Sequence, residues 1–193
     1  MNEPVSARFV HKTFTFESHA STLPLTVSIP EVLDLQYGMY VWPCAVVLAQ
    51  YVWIAKEKLQ KKTVLELGAG VSLPGVVAAK CGAQVILSDS AELPLCQNNC
   101  KRSYVILGSD VFYEPEDFED VLVTISFLLK RNPYAQFWTT YQERSTDWSV
   151  EALLHKWNLN HSSSCKEEPL RTVADVTRQP EGPFCSVFTV CRL

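Results

Sequence analysis

The stretch TVLELGAGVSLPG (63–75) decides the fold. A β-branched, apolar run, TVLEL (63–67), passes straight into glycines, and LPGVVAAKCG (73–82) follows as a helix stopped by Gly82. QVILSDS (84–90) reads as a second strand after almost no linker. Strand, helix and strand at this spacing predict a βαβ unit, and so a parallel sheet.

Working outward, ARFVHKTFTF (7–16) and LPLTVSIPE (23–31) read as the two strands of an N-terminal hairpin, joined by the polar ESHAST. A helix starts at Pro43, since proline is tolerated early in a helix. It is apolar on most sides, which predicts that it is well buried. Downstream, AELPLCQNNCKRS (91–103) reads as a helix and YVILGSDVFY (104–113) as a strand ending in a turn. EPEDFEDVLVTISFLLKRNP (114–133) reads as an amphipathic helix. Its acids lie at the start and Lys130 and Arg131 at the end, as the helix dipole prefers. YAQFWTTYQ (134–142) is a further strand, STDWSVEALLHKWN (145–158) a helix, and FCSVFTVCRL (184–193) a candidate last strand. The expected organisation is one domain over 1–158, with the hairpin in 1–36, and a divergent tail over 159–193.

Composition narrows the function. The chain has 193 residues, 47% hydrophobic, enough for one domain with a real core. A net charge of −4 argues against a dedicated nucleic-acid binder, and KEKLQKK (Lys56–Lys62) reads as the solvated end of a helix. The N-terminus lacks an apolar signal core, and no window holds the roughly 18 apolar residues of a membrane span. A soluble, intracellular protein is expected. Seven cysteines at irregular spacing fit a reducing compartment. Cys96 and Cys100 are four apart but lack companions at metal spacing, so no metal is expected.

Gly68 and Gly70 sit between a strand and a helix, where bare backbone lets a ligand approach and the helix N-terminus presents N–H groups. Asp89 stands at the end of the next strand, where a carboxylate can accept both hydroxyls of a ribose. Together they point to a cofactor that carries a nucleoside. The dinucleotide pattern G-x-G-x-x-G fails, because its sixth position is Leu73 and the next glycine is Gly75. No G-K-[ST] follows, so there is no P-loop. Glu66, two residues before the first glycine, would repel a phosphate and suits a cationic ligand. S-adenosylmethionine has that chemistry: an adenosine, a sulfonium, an ammonium and no phosphate.

YGMYVWPCAVVLAQYVW (37–53), VLELGAGVSLPGVVAAKCGAQVILSDS (64–90), SDVFYEPEDFEDVL (109–122) and WTTYQERSTDWSVEALLHKW (138–157) together closely resemble the seven-β-strand methyltransferases, in the group called methyltransferase family 16. The shared motifs are the E-x-G-x-G turn at Glu66, Gly68 and Gly70, the acid at Asp89, a D-x-x-Y motif at Asp110–Tyr113, and G-x-x-x-W at Gly38 and Trp42. The resemblance implies a Rossmann-like α/β fold and S-adenosylmethionine as cofactor. It implies that the Gly68–Gly70 turn, with Glu66, faces the methionine part, that Asp89 holds the ribose, and that Trp42 helps close the pocket. Asp110 and Tyr113 would shape the substrate channel and carry the catalytic role, with Asp110 also at the cofactor. The wider family implies lysine on proteins as the acceptor. The nearest resemblance implies arginine on histone H3, and with it a location in nucleus and cytoplasm. Glu114, Glu116 and Asp117 fit either a guanidinium clamp or the acids of a helix start. Tyr113 and Tyr141 fit either an aromatic channel or the core.

The chain departs from the family in two places. Only residues 90–109 lie between Asp89 and Asp110, room for one crossover where the family has a further strand and helix. A segment is expected to be missing between Ser103 and Tyr104, leaving the sheet one strand and one helix short, either with a central gap and two exposed edges or closed, with 104–109 in the vacant place. The tail after residue 158 departs too, as alternative splicing would produce. Two readings follow: a protein N-methyltransferase, or a catalytically inactive shortened form that acts as a protein-interaction module.

Overall fold

A computed structural model of the chain describes residues 9–18, 21–32, 40–89, 103–142, 144, 149–163 and 185–192. The expected helix over 91–103 lies outside the described residues except at its last position, which is in a strand, and Cys96 and Cys100 lie outside them as well.

The strands are β1 (Phe9–Ser18), β2 (Ser21–Val32), β3 (Thr63–Leu67), β4 (Gln84–Leu87), β5 (Ser103–Ser109), β6 (Gln136–Gln142), β7 (Leu159–Ser163) and β8 (Cys185–Arg192). The helices are α1 (Pro43–Ile54), α2 (Leu73–Lys80), α3 (Phe118–Arg131) and α4 (Val150–Lys156). β1 and β2 form the expected hairpin as a separate two-stranded sheet. The other six strands form one sheet in the order β4-β3-β5-β6-β8-β7. β4, β3, β5 and β6 run parallel, and β8 is antiparallel to both β6 and β7. α2 connects β3 to β4 and α3 connects β5 to β6, as parallel neighbours in such sheets require, and the antiparallel edge is common on them.

Of the two outcomes the sequence leaves open, the structure shows the closed sheet, with 104–109 in β5 beside β3. β3 pairs with β4 along one side, Thr63–Glu66 against Gln84–Leu87, and with β5 along the other, Val64–Leu67 against Val105–Gly108. The Ser103–Tyr104 junction lies inside β5. The shortage therefore falls at the sheet's rim, where β4 is the outermost of the described strands and Leu87 is 53% exposed. The segment set apart as a tail supplies β7 and β8, both of which join the central sheet.

Alternation explains why the central strands read as unbroken apolar runs. Val64, Val105, Leu107 and Trp138 face one cluster with α1, α2 and the hairpin's Phe14, Phe16, Val27 and Ile29. Their neighbours Leu65, Ile106 and Phe137 face a second cluster with α3 and α4. α1 is buried from Cys44 to Gln50 and again at Val52, as its all-round apolar sequence predicts. α3 begins after a 3₁₀ turn at Pro115–Asp117, and its exposed acids Glu116 and Asp117 sit at that start. Gly82, at φ +85, ends the turn after α2.

Candidate functional site

The strand order sets the motifs side by side. Asp89 follows β4, the Gly68–Gly70 turn follows β3, Asp110 follows β5, and Arg144 follows β6. They form a row along the C-terminal edge of the parallel strands, where open α/β sheets bind ligands. The middle of the row is where the sheet reverses its winding, between β3 and β5.

The Gly turn is left-handed, with Gly68 at φ +59 and Gly70 at φ +48. Gly68 also lies against the D-x-x-Y turn, since a Cβ there would meet Val111 Cγ1 at 3.5 Å. The turn is stitched to the end of β4. Ala69 N–H donates to Ser88 O at 3.0 Å, and Gly70 N–H donates to Asp89 Oδ2 at 2.7 Å. One carboxylate oxygen of Asp89 thus orders the loop and sets the orientation of the other.

Glu66 sits beneath this turn and is 2% exposed. Its Oε2 accepts from Ser72 Oγ at 2.6 Å and from Gly75 N–H at 3.1 Å. Burial raises its carboxyl to about 7 against the lowering effect of those two bonds, with the charge of Asp89 adding to the rise. Ser72 reaches Glu66 from a left-handed backbone, φ +56, at the N-cap of α2. Gly75 is the close-approach glycine that the dinucleotide pattern places two residues earlier. A Cβ on it would fall onto Glu66 Oε2 and Ser72 Oγ.

Asp110 is a second left-handed non-glycine residue, φ +55, anchored by its N–H to Thr140 O at 2.8 Å. Arg144 grips its carboxylate with both ends of the guanidinium, Nη1 to Oδ1 at 2.9 Å and Nη2 to Oδ2 at 2.5 Å. The same Nη1 lies 3.4 Å from Phe112 O and from Gln142 O. The Asp110 carboxylate raises the already high pKa of Arg144 further. Tyr113, three residues on, is 62% exposed, whereas Tyr141 is buried and packs edge-on to Phe112. Tyr141 is therefore core. Trp42 precedes α1 and packs edge-on to Tyr40. α1 reaches the same sheet edge, because Thr140 Oγ1 donates to Cys44 O at 3.0 Å.

Glu66, Gly68, Gly70, Asp89 and Asp110 thus gather along the ends of three adjacent strands, while Tyr113 stands in the turn after β5 and Trp42 before α1. Sequence reading missed Ser72 and Gly75, which hold Glu66, and Arg144, which holds Asp110. The donor set fits a cationic, phosphate-free nucleoside ligand: a Gly turn, a carboxylate at the neighbouring strand end, and a buried carboxyl beneath.

A family model described as lysine methyltransferase matches residues 24–104. The chain is 57% identical to the histone-arginine methyltransferase METTL23 of Xenopus laevis, over 77% of this chain and 74% of that protein. It is 29% identical to the protein N-lysine methyltransferase METTL21A of Mus musculus, over 62% of this chain and 66% of that protein. The fold is similar to that of a SAM-dependent methyltransferase from Agrobacterium tumefaciens. That match has a TM-score of 0.58 at 14% identity and covers 98% of this chain and 71% of the other.

Proposed function

The chain belongs to the family 16 group of seven-β-strand methyltransferases, and from that premise we propose that it transfers a methyl group from S-adenosylmethionine to a side-chain nitrogen of a protein. The observation that carries this reading is the row of Asp89, the Gly68–Gly70 turn and Asp110 on three adjacent parallel strands. Bound S-adenosylmethionine supplies an electrophilic methyl on a sulfonium. The chain's part is placement. The left-handed glycines open a path to the backbone, Asp89 is oriented by Gly70 N–H to accept from a ribose, and the carboxyl of Glu66 lies below the turn, bonded among the described residues to Ser72 and Gly75. Asp110, fixed at the neighbouring strand end by Arg144, offers its remaining carboxylate lone pairs to an incoming N–H, and Tyr113 beside it presents an exposed aromatic face.

The finer reading is an arginine of histone H3 as acceptor, with action in nucleus and cytoplasm. The 57% identical Xenopus relative, a histone-arginine methyltransferase by name, supports arginine. The test is transfer of labelled methyl from S-adenosylmethionine to histone H3, against H3 with its arginines changed to lysine. Label that requires the arginines supports the finer reading, and label on the lysine-substituted protein redirects it to lysine. A folded protein that binds no S-adenosylhomocysteine would instead favour the non-catalytic interaction module.

A further inference from the structure

The Asp110–Arg144 pair is unusual in three ways that together point to a role. First, one guanidinium takes both oxygens of the acid, the two-bond geometry that fixes a carboxylate in orientation as well as in place. Second, the Asp110 side chain is 9% exposed although Arg144 is itself an exposed residue, so the guanidinium meets the acid from the solvent side. Third, Asp110 occupies a left-handed backbone that disfavours a residue with a Cβ. Arg144 also lies near the carbonyls of Phe112 and Gln142, one on each side of the junction it spans. It therefore joins the end of β6 to the D-x-x-Y turn after β5, at the point where an acceptor nitrogen would enter.

We propose that Arg144 is a positioning residue for methyl transfer, acting on the acceptor through Asp110 by fixing the direction of that carboxylate. The inference rests on the methyltransferase reading above. An ionised carboxylate has about four lone-pair sites, and the fork uses two, so Asp110 still has acceptor capacity to face the incoming nitrogen. Lysine at 144 would keep the charge and lose the planar fork, so it cannot replace arginine here.

The test compares wild type with Arg144→Lys, Arg144→Ala, Asp110→Asn and the double variant Arg144→Ala/Asp110→Asn, reading kcat and KM on histone H3 and the Kd for S-adenosylhomocysteine. A misplaced reacting group can cost about 100-fold in rate. Arg144→Ala should approach that loss in kcat with KM and the cofactor Kd little changed, and Arg144→Lys should fall between. The double variant should be no slower than Asp110→Asn alone. Millimolar guanidinium chloride should restore part of the Arg144→Ala rate and none of the Asp110→Asn rate. Should Arg144→Ala not fold, Arg144→Lys and its double with Asp110→Asn carry the same comparison. Losses that multiply in the double variant, an Arg144→Ala rate equal to or above wild type, or a loss confined to the cofactor Kd each overturn the inference. A wild type that methylates no protein overturns the functional reading and the inference with it. An active wild type with an unaffected Arg144→Ala overturns the inference alone.

Discussion

Replacing Glu66 with glutamine isolates one buried charge. Burial lifts the Glu66 carboxyl to about 7, while in the unfolded chain it titrates near ~4.3. The folded state thus holds its proton more tightly than the unfolded state does. Below pH ~4 the group is protonated in both states, and its contribution to stability is fully present. As pH rises the unfolded chain ionises first, and stability falls by about 1.4 kcal/mol per pH unit until the folded group ionises too. Across that window the loss sums to roughly 3–4 kcal/mol and levels off above pH 7. Glutamine keeps a carbonyl oxygen for Ser72 Oγ–H and Gly75 N–H but has nothing to ionise. Urea unfolding of both proteins at several pH values from 4 to 8 gives the difference in stability, in which groups common to both cancel. Wild type should lose roughly 3–4 kcal/mol relative to Glu66→Gln over this range, or about 6–16 °C in Tm. A difference that stays flat with pH would refute the reasoning, since the carboxylate would then be ionised in place at ordinary pH.

Three further outcomes are expected. Gly75→Ala places a methyl on Glu66 Oε2 and Ser72 Oγ and should lower stability by about 1–3 kcal/mol, read from the urea midpoint at constant m-value. Thr140→Val removes the hydroxyl that donates to Cys44 O and loosens α1 from β6, costing about 0.5–1.5 kcal/mol in the same assay. Asp89→Ala removes a charged hydrogen-bond acceptor and should weaken S-adenosylhomocysteine about 10- to 100-fold by calorimetry, with the fold retained by circular dichroism.

The legible part of this molecule is local. β3, its glycines and the start of α2 are written in thirteen consecutive residues, and the hairpin in two alternating runs, because strand period and turn chemistry are short-range properties. Asp89 is legible for the same reason, one strand away. What sequence hides is lateral order. β5 lies beside β3 on the side away from β4, so a shortage between them in sequence is a shortage at the rim in space. Arg144 is invisible for a related reason. It meets Asp110 across 34 residues of chain, only because β5 and β6 are neighbours. Gly75 breaks the spacing of a known fingerprint, yet like that third glycine it lets the helix lie close to the strands, here against the Glu66 carboxyl and Leu87.

The position of β8 has a consequence for biosynthesis. It lies between β6 and β7, so β6 acquires its outer neighbour only when β8, the latest of the described strands in chain order, has been made. Fifty residues separate Gln142 from Arg192. At a synthesis rate of about 5–20 residues per second, the β6 edge stays unpaired for roughly 3–10 s on each nascent chain. The outer edge of β6, with Phe137, Trp138 and Tyr141 along the strand, is a template for wrong pairing throughout that interval. Chaperone dependence of the nascent chain should therefore track how fast residues 143–192 are translated.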